Sequence, residues 1–167
     1  WEITPKLSFE FMFSYGNWIW NSSKTVFIPQ YDSLEFTFDA KGVHVGDAAQ
    51  TALAAALRYE PIKNGYIKMQ GQFFDRYYAN FDPFSLQGAN GGRDSWKIPS
   101  YSLINIFAGY RYKKVSFGAA ITNLLNTSFI SDATNNANGI YDQFNAQSAT
   151  VMFGQGLRFN VNLAIQF

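Results

Sequence analysis

The sequence predicts an all-β chain: an antiparallel transmembrane β-barrel, to which these residues contribute a segment of about six to seven strands. Three observations lead there. The last eleven residues alternate, with Leu157, Phe159, Val161, Leu163, Ile165 and Phe167 on one parity and Arg158, Asn160, Asn162, Ala164 and Gln166 on the other. A period of two is a strand with one oily face and one wet face. Aromatics make up 19% of the chain and charged residues 15%, below the usual ~25%, yet mean hydropathy is −0.14. Apolar and polar residues are therefore interleaved rather than segregated. Finally, no apolar run reaches the ~18 residues a membrane helix needs. Without a helix, only a closed barrel satisfies every backbone group in lipid.

The elements follow in order. Leu7, Phe9, Phe11, Phe13 and Tyr15 oppose Ser8, Glu10, Met12 and Ser14. Thr51, Leu53, Ala55, Leu57 and Tyr59 oppose Ala52, Ala54, Ala56 and Arg58, and Glu60 to Gly65 is a turn signal. The return strand carries Ile67, Met69, Gly71 and Phe73 against Lys68, Gln70, Gln72 and Phe74. After a long loop, Ala79 to Pro99, Ile104, Ile106, Ala108, Tyr110 and Tyr112 oppose Leu103, Asn105, Phe107, Gly109 and Arg111. Lys113-Lys114 turns tightly into Val115, Phe117, Ala119 and Ile121. A second long loop, about Asn126 to Gly154 and rich in Asn, Ser, Asp and Ala, leads to the terminal strand.

Outer-membrane barrels alternate short periplasmic turns with long outside loops. With Phe167 at the periplasmic end, Lys113-Lys114 and Pro61 to Gly65 are periplasmic, and both long loops face outside. Glu10, Arg58, Lys68, Arg111 and Arg158 are the charges well inside these strands, and all share the polar, lumen-facing parity. A lysine or arginine facing lipid at mid-bilayer costs roughly 2–4 kcal/mol. Aromatics gather at both strand ends: Tyr59, Tyr66, Tyr110, Tyr112 and Phe167 at the turn side, Tyr15, Trp18, Trp20, Tyr77, Tyr78 and Tyr101 at the loop side. This is the pattern of interfacial girdles. A soluble β-sandwich or lipocalin-like barrel would carry a wet face rich in Lys and Glu, where this chain has Ser, Asn, Gln, Ala and Gly.

Six strands are clear, and eight is the usual minimum for a bacterial barrel. Two accounts stay open. Further strands around Val26–Ile28 and Leu34–Ala40 would give a self-contained eight-stranded barrel with a structural or adhesive role. Alternatively, Trp1 to Thr4 is the tail of a preceding strand, and residues 1–167 are the carboxy-terminal portion of a larger barrel.

The net charge of +1 does not suggest nucleic acid. The absence of cysteine removes disulfides and thiolate chemistry. A lone histidine, His44, leaves no His-based metal cluster or triad, so no enzyme and no cofactor is expected, and His44 is expected to be an exposed loop residue. Asp132 with Asn135, Asn136 and Asn138 matches no established calcium loop. Gly88, Gly91 and Gly92 near Arg93 lack the strand-to-helix setting of a phosphate loop. The best ligand-facing candidates are the outside aromatics Trp18, Trp20, Tyr77, Tyr78 and Trp96, whose flat rings can stack on sugars or chelators.

Several stretches carry a resemblance. Val45-Gly-Asp-Ala-Ala-Gln50, Arg58-Tyr-Glu-Pro61, Asp75-Arg-Tyr-Tyr78, Tyr101 to Tyr110, Thr122-Asn-Leu-Leu-Asn126 and the terminal strand ending in Phe167 resemble the late barrel of TonB-dependent receptors of Bacteroidetes type. That resemblance implies a 22-stranded barrel of which this chain is about the last quarter, and an amino-terminal plug, not in this sequence, that fills it. It also implies contact with TonB through that amino-terminal part, a surface lipoprotein lid of the kind some members carry, outer-membrane lipid around the wall, and import of an iron chelate, glycan or peptide across the outer membrane of a Gram-negative bacterium.

Overall fold

A computed structural model describes residues 1–28, 34–135 and 144–166. In chain order its strands are β1 (Glu2–Thr4), β2 (Leu7–Tyr15), β3 (Lys24–Ile28), β4 (Leu34–Phe38), β5 (Ala49–Ile62), β6 (Gly65–Tyr78), β7 (Asn80–Phe81), β8 (Lys97–Ile98), β9 (Tyr101–Tyr112), β10 (Val115–Thr122), β11 (Ile130–Asn135), β12 (Ala149–Phe153) and β13 (Arg158–Ile165). The only helical pieces among the described residues are three short 3-10 turns.

One large sheet runs β1-β2-β5-β6-β9-β10-β13, every pairing antiparallel. All six strands read from the periodicity are present, and Glu2–Thr4 pairs with β2. Register keeps the oily parity continuous. Phe9 lies opposite Leu57, Leu57 opposite Met69, Met69 opposite Ile106, Ile106 opposite Ile121, and Ile121 opposite Phe159. A slip of one residue at any pairing would have broken that row. No pairing joins β1 to β13 among the described residues, so the sheet is open.

The turns at one end are short. Pro5-Lys6 joins β1 to β2, Lys63-Asn64 joins β5 to β6, and Lys113-Lys114 joins β9 to β10. Asn64 and Lys113 take left-handed backbone at φ 63° and 51°, one such residue in each of the last two turns. At the opposite end sit all the long connections.

Here the structure corrects the sequence reading. The segment Trp18–Ala49 does hold strands, β3 and β4, but they form a separate two-stranded sheet and add nothing to the large one. The connections 79–99 and 126–154 are not plain loops. They carry β7, β8, β11 and β12, and β12-β11-β7 form a third sheet. Together these segments make a cap with its own core. Phe38, Ala40, Val43, Phe81 and Leu86 form one cluster; Tyr77, Ala79, Ile98 and Ala133 form another.

Candidate functional site

The two faces of the large sheet differ in chemistry. The odd-parity face of β2, β5 and β6 exposes Phe11, Phe13, Leu57, Ile67 and Met69, and the face continues through Phe117 on β10 and Phe159, Val161 and Leu163 on β13. The other face holds polar groups that bond to one another. Lys68 Nζ donates to Glu10 Oε2 at 2.5 Å, and Arg58 Nε donates to Glu60 Oε1 at 2.9 Å. Arg58 also lies 3.7 Å from the centre of the Tyr66 ring. That ring covers the backbone of Gly109 opposite it, where a Cβ would come within 2.4 Å of the ring. Arg111 Nε donates to Ser116 Oγ at 3.2 Å, and Arg158 donates to Gln155 Oε1. Glu10, Arg58, Lys68, Arg111 and Arg158 thus share one face of the large sheet. The face also carries Met12, Leu103, Phe107 and Phe74, so it is mixed rather than uniformly wet.

An asparagine corner fastens this face to the cap. Asn123 and Asn126 both adopt left-handed backbone, at φ 51° and 50°, a conformation asparagine accepts more readily than most residues. Asn123 is buried. Its Nδ2 donates to Thr127 O at 2.9 Å and Gln155 O at 3.1 Å, and its Oδ1 accepts from Thr127 N at 2.8 Å. Its own N–H donates to Asn105 Oδ1, and Asn105 Nδ2 donates onward to Gln72 Oε1. Asn126 Oδ1 accepts from Leu157 N at 2.9 Å. The Asn-Leu-Leu-Asn motif therefore closes β10, is tied to β9 and sets the entry to β13.

The outside aromatics fall into different settings. Trp18 and Trp20 are partly exposed. Trp18 is held by its backbone against the Gln50 amide, and Trp20 packs edge-on against Phe81 at 5.9 Å. Tyr77 is buried, and its hydroxyl donates to Ser131 O at 2.9 Å. Its ring belongs to the cap core rather than to an open surface. Tyr78 stacks on His44 with ring centres 4.0 Å apart. Trp96 is half-buried against the second cluster, its backbone N–H donating to Asn135 Oδ1 at 2.8 Å. The structure thus spreads the five candidates over the cap and gathers no single ligand cradle from them.

His44, expected to be an exposed loop residue, is half-buried and paired. Its Nδ1 lies 2.6 Å from Asp94 Oδ2, and its backbone N–H donates to Asp94 Oδ1 at 2.9 Å. Fifty positions separate the pair, so no local signal announces it. Among the described residues no three His, Asp or Glu side chains cluster as metal ligands. Asp132 Oδ1 accepts from Ala133 N, and Asn135 is buried, bonded to Trp96, Asn145 and Ser148. Asn136, Asn138 and Phe167 lie outside the described residues.

No protein-family profile and no curated protein matches the chain. Solved structures do. The ferric-catecholate import receptor Fiu of E. coli K12 matches in its closed form with a TM-score of 0.56 at 12% identity, over 99% of this chain and 19% of that one. Its open form gives 0.54 at 10% identity over the same shares. The ferric yersiniabactin uptake receptor FyuA of Yersinia pestis gives 0.59 at 12% identity, over 100% of this chain and 22% of that one. The likeness is one of fold. This chain spans about a fifth of the length of either receptor.

Proposed function

We propose that the chain is wall and outer cap of a TonB-dependent importer in the outer membrane of a Gram-negative bacterium, acting in transport rather than catalysis. One observation carries this reading: an exposed apolar face runs from β2 to β13, while Glu10, Arg58, Lys68, Arg111 and Arg158 lie on the opposite face and the one carboxylate on the apolar parity, Asp75, sits at its loop-side border. Water would not tolerate an apolar surface of that extent on a soluble chain. Lipid does, provided charges stay off it. The fold shared with import and uptake receptors supports the same reading.

In it, short turns face the periplasm and the cap faces outside. Glu10, Arg58, Lys68, Arg111 and Arg158 face the lumen, toward an amino-terminal plug that engages TonB. The cargo class follows from the same proposal as an iron chelate, a glycan or a peptide, with Trp18, Trp20, Tyr78 and Trp96 as the nearest rings of the cap. A Bacteroidetes-type receptor with a surface lipoprotein lid is the finer form of the proposal, and it rests on the sequence resemblance alone.

This chain has no cysteine, so single cysteines placed in it can be spin-labelled one at a time in the whole protein once any cysteine elsewhere is replaced. Labels at Met69, Phe117 and Val161 should be relaxed more by oxygen, which concentrates in hydrocarbon, than by an aqueous nickel chelate. Labels at Gln70, Ala120 and Asn160 should show the reverse. Equal or inverted ratios at the first three sites would remove the membrane wall. Transport is checked by growth of a deletion strain on ferric chelates, oligosaccharides and peptides as sole nutrient sources. Unimpaired growth on all three classes would remove the importer.

A further inference from the structure

We propose that a recess between the large sheet and the cap binds a part of the cargo that carries negative charge on a flat ring. Arg158 takes the charge, and Phe129 and Phe153 flank the ring. The inference rests on the importer reading and narrows its cargo class. The recess has a volume of about 410 Å³. On one side it is bounded by the polar face of the large sheet, with Leu103 on β9 and Arg158 on β13. On the other it is bounded by Phe129, Phe153 and Gln155 from the segment that returns from the cap. Sites for small organic groups are clefts of this size, mostly apolar, with a few placed polar atoms.

Charge singles out Arg158. On the same face Lys68 is paired with Glu10, and Arg58 with Glu60. Arg158 donates instead to the neutral amide oxygen of Gln155 and, among the described residues, meets no carboxylate. It is exposed, so a solute in the recess can reach it. Among the described residues that line the recess no other is charged, which leaves the recess formally +1. The amides of Asn105 and Asn123 also border it, but they are engaged within the corner they build. An amide neighbour positions a guanidinium without neutralising it. A carboxylate or phosphate neutralises it, and the planar fork offers two parallel bonds for doing so.

The apolar sides are set for a ring. Phe129 stacks on Tyr101 with ring centres 4.5 Å apart, and Tyr101 lies 5.1 Å from Phe74 in turn. The tip of the Phe129 ring rests on Gly154, where a Cβ would collide with it. That ring is therefore fixed before a ligand arrives, which spares the entropy of ordering it on binding. Phe153, at the end of β12, is 69% exposed and belongs to neither cap cluster. Two rings and Leu103 thus border one unneutralised cation. A plain anion would leave the apolar sides uncovered, and a neutral ring would leave the charge unmatched. A flat-ring anion meets both.

Saturation-transfer NMR on the whole protein in deuterated detergent, titrated with benzoate, benzamide and cyclohexanecarboxylate, tests this. Benzoate should bind tightest. Benzamide keeps the ring without the charge and should bind about tenfold more weakly, the usual effect of losing a charge-assisted bond. Cyclohexanecarboxylate keeps the charge without the flat ring and should bind several-fold more weakly. Arg158→Gln should weaken benzoate about tenfold and leave benzamide unchanged, with Arg158→Lys between wild type and Arg158→Gln. Phe153→Leu should narrow the gap between benzoate and cyclohexanecarboxylate. Arg111→Gln removes a charge from the same face outside the recess and should change none of the three. Equal binding of benzoate and benzamide would overturn the anion site, and equal binding of benzoate and cyclohexanecarboxylate would overturn the ring. Equal weakening by Arg158→Gln and Arg111→Gln would overturn the recess as the place of binding, as would a wild type that binds no probe. The spin-label and growth tests use none of these probes, so failure here leaves the importer reading to stand or fall by them.

Discussion

Val161 on β13 is 83% exposed, whereas Val43 in the cap is fully buried. The same contrast separates Leu163 from Leu86 and Ile67 from Ile98. Residue type cannot explain it. In the cap, apolar side chains follow the rule for water: they turn inward and pack as Phe38, Val43, Phe81 and Leu86 do. In the sheet the rule is inverted, with apolar residues outward and Glu10, Lys68, Gln72 and Asn105 bonded to one another behind them. Under the proposed membrane reading one chain is built for two solvents, and the change falls near the row Tyr15, Thr51 and Asp75.

The largest expected effect breaks the cap alone. Leu86 is fully buried and its backbone carbonyl accepts from Asp39 N at 2.8 Å, so it links the 3-10 turn after β7 to the end of β4. Leu86→Ala should cost about 2–5 kcal/mol locally, transfer plus cavity. Amide exchange should accelerate in β3, β4 and residues 79–99, while β5, β6 and β9 keep their protection. Equal loosening of the large sheet would show that the two regions do not fold as separate solvents demand.

The next effect breaks the sheet alone. Met69 is exposed in the middle row of the apolar face, between Leu57 and Ile106. Met69→Arg should cost roughly 2–4 kcal/mol in a bilayer, while Gln70→Arg on the opposite face should cost little. Denaturant titration in lipid vesicles checks both. A Met69→Arg protein as stable as Gln70→Arg would remove lipid from that face.

The two regions were not equally legible in the sequence. The sheet was, because an outward apolar face and a polar face bonded within itself impose a period of two on every strand, from Leu7–Tyr15 to Leu157–Ile165. Its register then follows from keeping one oily row. The cap follows no period. Leu86, Ile98 and Ala133 are single apolar residues among polar ones, brought together by contacts between distant segments. β11 pairs with β12 through Asp132, Thr134 and Thr150, residues that read as solvated loop. His44 finds Asp94, and Tyr77 finds Ser131, only after the chain has folded. The candidate rings were visible as aromatics; what each one touches was not.

The smallest effect is the most instructive, because it falls on the joint between the regions. Asn123 ends β10 and bonds to Asn105 in the sheet and to Thr127 and Gln155 at the start and end of the cap's last segment. Asn123→Ala leaves Thr127 N and two carbonyls without partners and puts a less tolerant residue at φ 51°. A cost of about 1–3 kcal/mol follows. Asn123→Gly removes the same bonds but not the conformational freedom, so the difference between the two isolates the backbone contribution. If the corner only terminates a strand, both variants lose protection at β10 alone. If it couples the two regions, exchange rises together in β11, β12 and the first residues of β13, with β5 and β6 untouched. That second pattern is expected, since three of the side-chain amide's bonds lead into the cap segment and none leads along β10.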